Sequence, residues 1–345
     1  METEHRIHVG DAREMDALDD HSVELVVTSP PYPMIEMWDD LFARLDAGVA
    51  DSLAAGDGEA AFDAMHAALD PVWDELARVL VEGGIAAVNV GDATRSVGDG
   101  FQLYPNHAEL IDRFRARGFD LLPDVLWRKP VNSHAKFMGS GMVPPNAYPT
   151  LEHEYVLLFR NGAASREFAT GADRRYGAAY FWEERNDWFS DLWTDVQGEA
   201  QTLGHDDLRE RSAAFPFELP YRLVNMYSVY GDTVLDPFWG TGTTSLAAMV
   251  AGRHSTGYEL SREFREVFDD RLDAVASFAD GVVGDRLAAH REFAAEADAD
   301  LKYEAENYDF RVKTKQEREI QLYTVDGVRR DGDRYVVDHR AFDGG

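Results

Sequence analysis

The sequence predicts an α/β fold, in which a mainly parallel, doubly wound sheet carries helices on both faces. Short apolar segments of strand-like composition alternate with longer amphipathic segments of helical spacing. Glycine-rich turns separate many of these segments. Two polar motifs, at residues 28–32 and 236–244, directly follow apolar strands, and active-site loops of such sheets lie at that end of the strands.

The first half of the chain follows this alternation. Gly56-Asp57-Gly58 divides a long helical pattern into two helices, and Gly83-Gly84 predicts a turn before the next strand. Gly118 suits the left-handed conformation that ends many helices. In chain order, the predicted elements are strand Ile7–Val9, a short helix, strand Val23–Thr28, two helices between Trp38 and Leu80, strand Ile85–Val90, helix 106–117, and strands near 119–127 and 154–159.

The second half begins with an irregular stretch, residues 161–214, which is rich in arginine and aromatic side chains. Strand and helix patterns then resume, and Asp-Gly pairs near the end predict a hairpin. The predicted elements are strand Thr233–Leu235, a helix around 243–252, strand 255–259, a charged helical pattern over 261–300, and hairpin strands 321–325 and 335–338.

Composition limits the chemistry and the location. The chain has 345 residues and no cysteine. Disulfides, thiolate nucleophiles and cysteine-based metal sites are therefore excluded, and we predict no metal site. The sequence has no apolar run of about 18 residues that would span a membrane, and it starts without a secretory signal. We therefore expect a cytoplasmic protein that does not associate with membranes.

The charge balance is strongly acidic, with 64 acidic and 34 basic residues and a net charge of −30. Concentrated salt tolerates such self-repulsion, because the Debye length there falls to about 3 Å. Only five basic residues are lysine, so most cations are weakly hydrated guanidinium groups. We expect a halophilic host; the alternative is an ordinary acidic protein whose arginine content reflects GC-rich codons.

The first motif, Thr28-Ser29-Pro30-Pro31-Tyr32, directly follows a buried strand. Two prolines extend the backbone and lack amide donors, which leaves carbonyl oxygens free to accept from a substrate amine. An exocyclic base amine is a poor nucleophile because its lone pair is delocalised into the ring. Acceptors at Ser29 and the Pro30 carbonyl favour a pyramidal, reactive nitrogen, and Tyr32 offers a face on which an unstacked base can rest. The alternative is a rigid Pro-Pro-Tyr turn.

The second motif, residues 236–244, lies between a strand and a helix. Glycines at 240 and 242 allow a ligand close to the backbone, while Thr243 and Thr244 are placed to cap the helix. Glu259 ends the next strand, where a carboxylate can accept from both ribose hydroxyls. The motif lacks the lysine of a P-loop and is not the dinucleotide fingerprint. It predicts a nucleoside-binding loop; the alternative is a tight strand-to-helix turn.

Together these motifs resemble the β-group amino methyltransferases of DNA, in which the catalytic half precedes the half that binds S-adenosylmethionine (SAM). The likeness runs from residue 7 to about 260. Its components, in order, are Gly10-Asp11, residues 22–32, Arg78-Val79-Leu80 with Gly83-Gly84, Trp127 with Lys129-Pro130, Glu152-His153-Glu154-Tyr155, Phe215-Pro216 with Glu218-Leu219-Pro220, and residues 236–244.

The resemblance implies a SAM-dependent methyltransferase fold with permuted motif order and an inserted DNA-recognition segment. It implies SAM as cofactor, double-stranded DNA as partner, and transfer of a methyl group to a flipped-out base. The implied catalytic residues are Ser29, Pro30, Pro31 and Tyr32, and the implied cofactor-binding residues are Asp11, Phe215, Asp236, Phe238, Gly240, Gly242, Thr243, Thr244 and Glu259.

Serine at the head of the tetrapeptide is, in that family, the usual sign of cytosine-N4 rather than adenine-N6 methylation. The acidic composition is also similar to that of the haloarchaeal CTAG modification methylases. The resemblance divides the chain into a catalytic half (1–160), a target-recognition segment (161–212), a SAM-binding half (213–275) and a C-terminal helix and hairpin (276–345) to which no role is assigned.

Residues 128–185 depart from the acidity of the rest of the chain, with eight basic and six acidic residues. Both lysines that precede residue 300 lie there. Cations contact phosphates, and arginines read guanine edges. We therefore predict that Lys129, Lys136, Arg174 and Arg175 contact DNA.

Three alternatives remain open at this point. The first is an enzyme specific for adenine N6 instead of cytosine, since serine is only a correlate of the base. The second is an RNA or protein substrate, because the same chemistry serves any planar amine or amide. A SAM-fold subunit that binds nucleic acid without catalysis is the third alternative, and two intact motifs argue against it.

Overall fold

The protein is described by a computed structural model over residues 1–98, 100–129, 138–139, 142–197, 215–297 and 301–344. The strands are β1 (Glu2–Val9), β2 (Val23–Thr28), β3 (Leu80–Val90), β4 (Ala93–Val97), β5 (Gly100–Tyr104), β6 (Phe119–Leu121), β7 (Val125–Arg128), β8 (Met138–Gly139), β9 (Ala147–Tyr148), β10 (His153–Asn161), β11 (Leu192–Trp193), β12 (Thr233–Asp236), β13 (His254–Glu259), β14 (Tyr303–Glu304), β15 (Arg311–Val312), β16 (Tyr323–Asp331) and β17 (Arg334–Ala341). The α-helices are α1 (Asp39–Leu45), α2 (Ala47–Ala55), α3 (Gly58–Val79), α4 (Asn106–Ala116), α5 (Asp173–Gly177), α6 (Trp182–Trp188), α7 (Glu218–Tyr227), α8 (Thr243–Ala251), α9 (Glu263–Leu272) and α10 (Val275–Ala297).

Eleven strands of the described chain form one sheet, in the order β11-β7-β10-β3-β2-β12-β13-β1-β17-β16, with β6 beside β10. The five central strands, β3, β2, β12, β13 and β1, are all parallel. Antiparallel pairing begins at β10 on one side and at β17 on the other. The predicted α/β fold with a mainly parallel sheet is thereby confirmed.

Helices cover both faces because the central strands are apolar on both sides. Val26 of β2 packs with helices α1 to α4, whereas Leu25 and Val27 pack with α7 to α10. This alternation follows from the two-residue period of a strand. The two resulting cores fix the central strands between two helical layers.

Two predicted boundaries were wrong. The pattern before Gly56 forms two helices, because Asp46 ends α1 and its side chain accepts a hydrogen bond from the amide of Gly48 at 2.8 Å as the N-cap of α2. The predicted turn at Gly83-Gly84 lies inside β3, where the register against β2 shifts and Gly83 has a φ of +76°. The glycines thus make a local irregularity within a continuous strand.

The C-terminal extension completes the sheet. The predicted hairpin is formed by β16 and β17, and β17 pairs with β1. The extension also packs against the arginine-rich segment after β10: the amide of Trp182 donates to Glu317 at 2.9 Å, and Arg286 pairs with Glu184 at 2.5 Å. Within the described ranges, no helix is both long and apolar enough to cross a membrane.

Candidate active site at the carboxyl edge of the sheet

The carboxyl ends of four parallel strands surround one cleft. Loops after β1, β2 and β12 line it together with the last residue of β13, so the two sequence motifs, about 200 residues apart, lie side by side. Such a cleft at the carboxyl edge is where open α/β sheets bind ligands. Twelve of the predicted residues line it: Asp11, Ser29, Pro30, Pro31, Tyr32, Phe215, Asp236, Phe238, Gly240, Thr243, Thr244 and Glu259.

Asp236 organises the loop after β12. Its carboxylate accepts hydrogen bonds from the hydroxyls of Thr28 and Thr244, each at 2.7 Å, and from the amide of Phe238 at 3.1 Å. Burial raises the pKa of Asp236 to about 6, although these hydrogen bonds oppose the shift. The residue therefore joins the ends of β2 and β12 to the start of α8.

The two glycines of this loop have different roles. Gly240 has a φ of +52°, and a β-carbon there would meet no atom closer than 3.8 Å, so its backbone is open to a ligand. Gly242 has a φ of +76°, and a β-carbon there would overlap the rings of Phe268 and Trp239. Gly242 does not line the cleft in this structure, and the prediction that it approaches the ligand is replaced by a packing role beneath the loop.

The predicted helix caps were also wrong. Gly242 is the N-cap of α8 and has no capping side chain. The hydroxyl of Thr244 donates to Asp236 instead, and that of Thr243 lies 3.4 Å from the hydroxyl of Thr241. The left-handed glycine starts the helix so abruptly that both threonines already lie in its first turn.

Glu259 closes the far side of the loop. Its two carboxylate oxygens accept hydrogen bonds from the amides of Gly240 and Ser261, at 3.0 and 2.9 Å. Burial raises the pKa of Glu259. A carboxylate has about four acceptor positions, so two remain for a ligand with vicinal hydroxyls. Asp11 lies across the cleft. Burial alone would raise its pKa, but hydrogen bonds from Arg13 outweigh this effect, so the pKa of Asp11 is lowered.

The loop after β2 is held by polar side chains. The hydroxyl of Ser29 lies 3.0 Å from that of Tyr32, and Tyr32 donates to Glu154 at 3.0 Å. The amide nitrogen of Asn89 contacts both Tyr32, at 2.9 Å, and Glu154, at 2.7 Å. Burial and, after it, the Glu154 carboxylate raise the pKa of Tyr32 well above its usual value. Tyr32 is therefore a neutral phenol within this network.

Sequence reasoning missed Asn89 and Glu154 as parts of the site. Asn89 carried a signal, since it is a polar residue in the apolar strand β3. Glu154 lies in the Glu152-His153-Glu154-Tyr155 segment of the resemblance, to which no role was assigned, and its burial is visible only in the structure. Lys129 pairs with Glu154 at 2.6 Å. A β-carbon at Gly91 would lie 3.2 Å from the ring of Tyr32 and 3.3 Å from Glu154, so the glycine leaves room for the pair.

The backbone of this loop agrees with the sequence argument. The Pro30 carbonyl accepts no hydrogen bond from the described part of the chain, which leaves it available in the cleft. Met34 ends the loop with a φ of +67°, a strained conformation for a non-glycine residue, and its side chain is buried. Packing of Met34 therefore fixes the backbone just after the tetrapeptide.

Comparison with known proteins identifies the family of this chain. A family model described as DNA methylase (N6_N4_Mtase) matches residues 23–270, which include both motifs. The chain belongs to this DNA methylase family.

Two curated relatives of this methylase cover most of its length. The Type II methyltransferase M.MthZI of Methanothermobacter thermautotrophicus is 51% identical over 326 residues, covering 94% of this chain and 91% of the relative. M.MjaI of Methanocaldococcus jannaschii is 47% identical over 281 residues, covering 78% of this chain and 91% of the relative. A solved structure, TTHA0409 of Thermus thermophilus complexed with S-adenosyl-L-methionine, is 34% identical with a TM-score of 0.58, covering 77% of this chain and 92% of that chain.

The residues predicted to contact DNA separate into two groups. Lys129 lies beside the loop after β2, where it pairs with Glu154, and Lys136 lies outside the described residues. Arg174 pairs with Asp232, which precedes β12 and so lies at the amino edge of the sheet. Arg175 is exposed and its guanidinium lies 4.8 Å from the Phe168 ring in the same region.

The two edges are separated by the length of β12, about 10–13 Å at 3.3 Å per residue. The direction of β10 accounts for the position of the two arginines: β10 runs antiparallel to β3 and delivers the arginine-rich segment to the amino edge. The structure therefore does not place Arg174 and Arg175 beside the cleft.

Proposed function

We propose that this methylase is a SAM-dependent, site-specific DNA methyltransferase that transfers a methyl group to the N4 amine of a flipped-out cytosine. The observation that carries the proposal is the shared cleft. The Ser29 hydroxyl and the Pro30 carbonyl line the same cavity as the glycine loop and Glu259. An amine acceptor site and a nucleoside-binding site are thus adjacent, as methyl transfer requires.

The cofactor is SAM, with which the Thermus relative was solved. The cleft of this chain fits it: Glu259 has two free acceptor positions for the ribose hydroxyls, and the backbone at Gly240 is open. Asp11 lines the cleft with its carboxylate paired to Arg13, and Phe238 adds apolar surface. SAM supplies an electrophilic methyl group when bound.

The protein's own residues prepare the amine. Ser29 and the Pro30 carbonyl accept its two hydrogens, which withdraws the nitrogen lone pair from the ring and aims it at the methyl group. Tyr32, partly exposed in the cleft, offers a face to the unstacked base. Cytosine is proposed because serine heads the tetrapeptide, and adenine N6 is the alternative outcome of the test.

DNA is proposed to approach the carboxyl edge, with the half-exposed Lys129 at its rim. Arg174 and Arg175 are left out of this surface because they lie at the other edge. The target CTAG is proposed from the resemblance stated above, and a role as a modification enzyme is supported by relatives named Type II methyltransferases. The net charge of −30 supports function at high salt.

The test is the identity of the methylated nucleoside. Unmethylated plasmid DNA is incubated with the protein and SAM across a salt series, digested and analysed by mass spectrometry. We expect N4-methylcytosine, and we expect Ser29→Ala to lower turnover about 100-fold. Detection of N6-methyladenine would overturn the choice of base, and absence of any methylated nucleoside would overturn the function.

A further inference from the structure

Glu154 lies at the end of a chain of hydrogen bonds that starts in the cleft. The chain runs from Ser29 to the Tyr32 hydroxyl, 3.0 Å away, and from Tyr32 to Glu154 Oε2, another 3.0 Å. Glu154 is 8% exposed, and Lys129 holds its other oxygen, Oε1, at 2.6 Å. A buried carboxylate is thus connected to the predicted amine acceptor through a single phenol.

The hydrogen bonds from Ser29 through Tyr32 to Glu154 all run in one direction, from donor to acceptor. Glu154 accepts from Tyr32, Asn89 and Lys129, which suits the ionised, acceptor-only form of a carboxylate. Tyr32 has one hydroxyl hydrogen and gives it to Glu154. The Ser29 hydroxyl must therefore donate to the Tyr32 oxygen, so that the lone pairs of Ser29 remain available in the cleft.

We propose that Glu154 is a positioning residue for methyl transfer: it orients the Tyr32 and Ser29 hydroxyls so that Ser29 accepts from the target amine, and it receives the proton that the amine loses. This inference rests on the proposed function, and it adds a role for Glu154, Asn89 and Lys129 to it. The carboxylate acts through Tyr32 and Ser29 and does not touch the base.

The transfer balances in atoms and charge. The amine nitrogen forms a bond to the methyl carbon, and the carbon–sulfur bond breaks with its electron pair remaining on sulfur. The nitrogen gives one proton to Ser29 Oγ, Ser29 passes its own to the Tyr32 oxygen, and Tyr32 passes its own to Glu154 Oε2. One positive charge on sulfur and one negative charge on Glu154 disappear together, and Glu154 then releases the proton to solvent.

The surroundings of Glu154 support this direction of transfer. The loop after β2 contributes Tyr32 and the end of β7 contributes Lys129, while β3 contributes the uncharged Asn89. Asp92, which follows β3, pairs with His107 at 2.8 Å and not with Glu154. Among the described residues the ionisable groups hydrogen-bonded to Glu154 are thus one phenol and one ammonium, and both stabilise its negative charge.

The first experiment compares Glu154→Gln with wild type by turnover at a series of pH values. The neutral amide has the same shape, but it cannot take the proton. We expect kcat to fall about 100-fold, with little change in KM for DNA, and the acidic decline of the wild-type profile to disappear. In Tyr32→Phe, which keeps the ring but lacks the hydroxyl, kcat should fall by a similar factor. The matched control is Glu152→Gln, which removes an exposed carboxylate that pairs with Arg128 just before β10 and should retain kcat.

The second experiment measures binding without the cofactor. In Glu154→Gln the new carbonyl faces Lys129, and the new amide faces Tyr32 and the side chain of Asn89, whose amide must turn so that its oxygen accepts from the glutamine. Tyr32 can then donate to Ser29, and Ser29 can donate in the cleft. The variant should therefore bind DNA with the target base replaced by its keto analogue, uracil for cytosine or hypoxanthine for adenine, relatively better than wild type does. A role in stability alone would leave this preference unchanged.

The outcomes separate the two proposals. If wild-type protein methylates no DNA, the proposed function fails. If wild type methylates DNA but Glu154→Gln keeps full kcat, an unchanged pH profile and an unchanged preference for the amino base, the function stands and the role of Glu154 is overturned.

Discussion

The two loops that line the cleft lie side by side at one edge of the sheet, yet they are held in different ways. The loop after β2 is fixed by hydrogen bonds that link Ser29, Tyr32 and Glu154. The loop after β12 also has hydrogen bonds, to Asp236 and Glu259, but in addition the rings of Trp239 and Phe268 fill the space beneath Gly242. Damage to the first loop should change the chemistry, whereas damage to the second should change folding or cofactor affinity.

The largest expected effect is on the packed loop. Gly242→Ala places a methyl group against Phe268 and Trp239 in a left-handed conformation, so we expect the free energy of unfolding to fall by about 3–5 kcal/mol. Chemical denaturation measures this loss. Gly240→Ala is the matched control: it has the same kind of backbone conformation but an open side, and should lose only about 1–2 kcal/mol. Equal losses in the two variants would contradict the packing role of Gly242.

The next effect is on the cofactor. Glu259→Ala removes the acceptor proposed for the ribose hydroxyls, and the loss of charge-assisted hydrogen bonds, about 3 kcal/mol in total, should weaken SAM binding about 100-fold. Isothermal titration calorimetry measures the affinity. Since Glu259 also accepts from the amides of Gly240 and Ser261, a thermal melt must show that the variant remains folded. Unchanged affinity would rule out the ribose role.

The smallest effect concerns Asp236, which belongs to both loops through Thr28 and Thr244. Its folded pKa, raised to about 6, exceeds the ordinary value of 3.8. The protonated form is therefore favoured in the folded state. Its contribution to the free energy of unfolding is fully present below about pH 4 and is lost as the pH rises through about 6. Across this pH window, the free energy of unfolding of wild type, measured by urea denaturation, should fall by about 2–3 kcal/mol relative to that of Asp236→Asn. Parallel stability curves for the two proteins would show that Asp236 has the same pKa in the folded and unfolded states, which contradicts the raised pKa.

Local patterns were sufficient for much of the fold. The strand Val23–Thr28 was predicted to the residue, because an apolar run bounded by polar residues is typical of a central parallel strand. The split at Asp46 was missed because a single capping aspartate divides the pattern, and the nearby Gly48 lies inside α2 rather than in a turn. Gly83-Gly84 misled the prediction because a strand irregularity and a turn use the same residue type.

The site was predictable where a motif is contiguous and not where it is assembled from distant segments. Ser29 and Gly240 were predicted from compact motifs that each follow a strand, and both line the cleft. The contacts of Glu154 with Tyr32 and Asn89 join residues 122 and 65 positions apart, and no local pattern encodes them. The position of Arg174 relative to the cleft was not predictable, because composition records charge and not the direction in which β10 carries the chain.

The neighbouring positions of β2 and β12 also determine when the cleft forms during synthesis. Thr28 and Asp236 share a hydrogen bond across 208 residues of chain. When a ribosome has released the entire tetrapeptide, the strand that covers the open edge of β2 is still untranslated. Until β12 arrives, this edge offers unpaired backbone groups and apolar side chains to other nascent chains. We therefore expect chaperones to bind the nascent chain mainly between the synthesis of β2 and that of β12. The cleft, and with it methyl transfer, requires that β12 has been made.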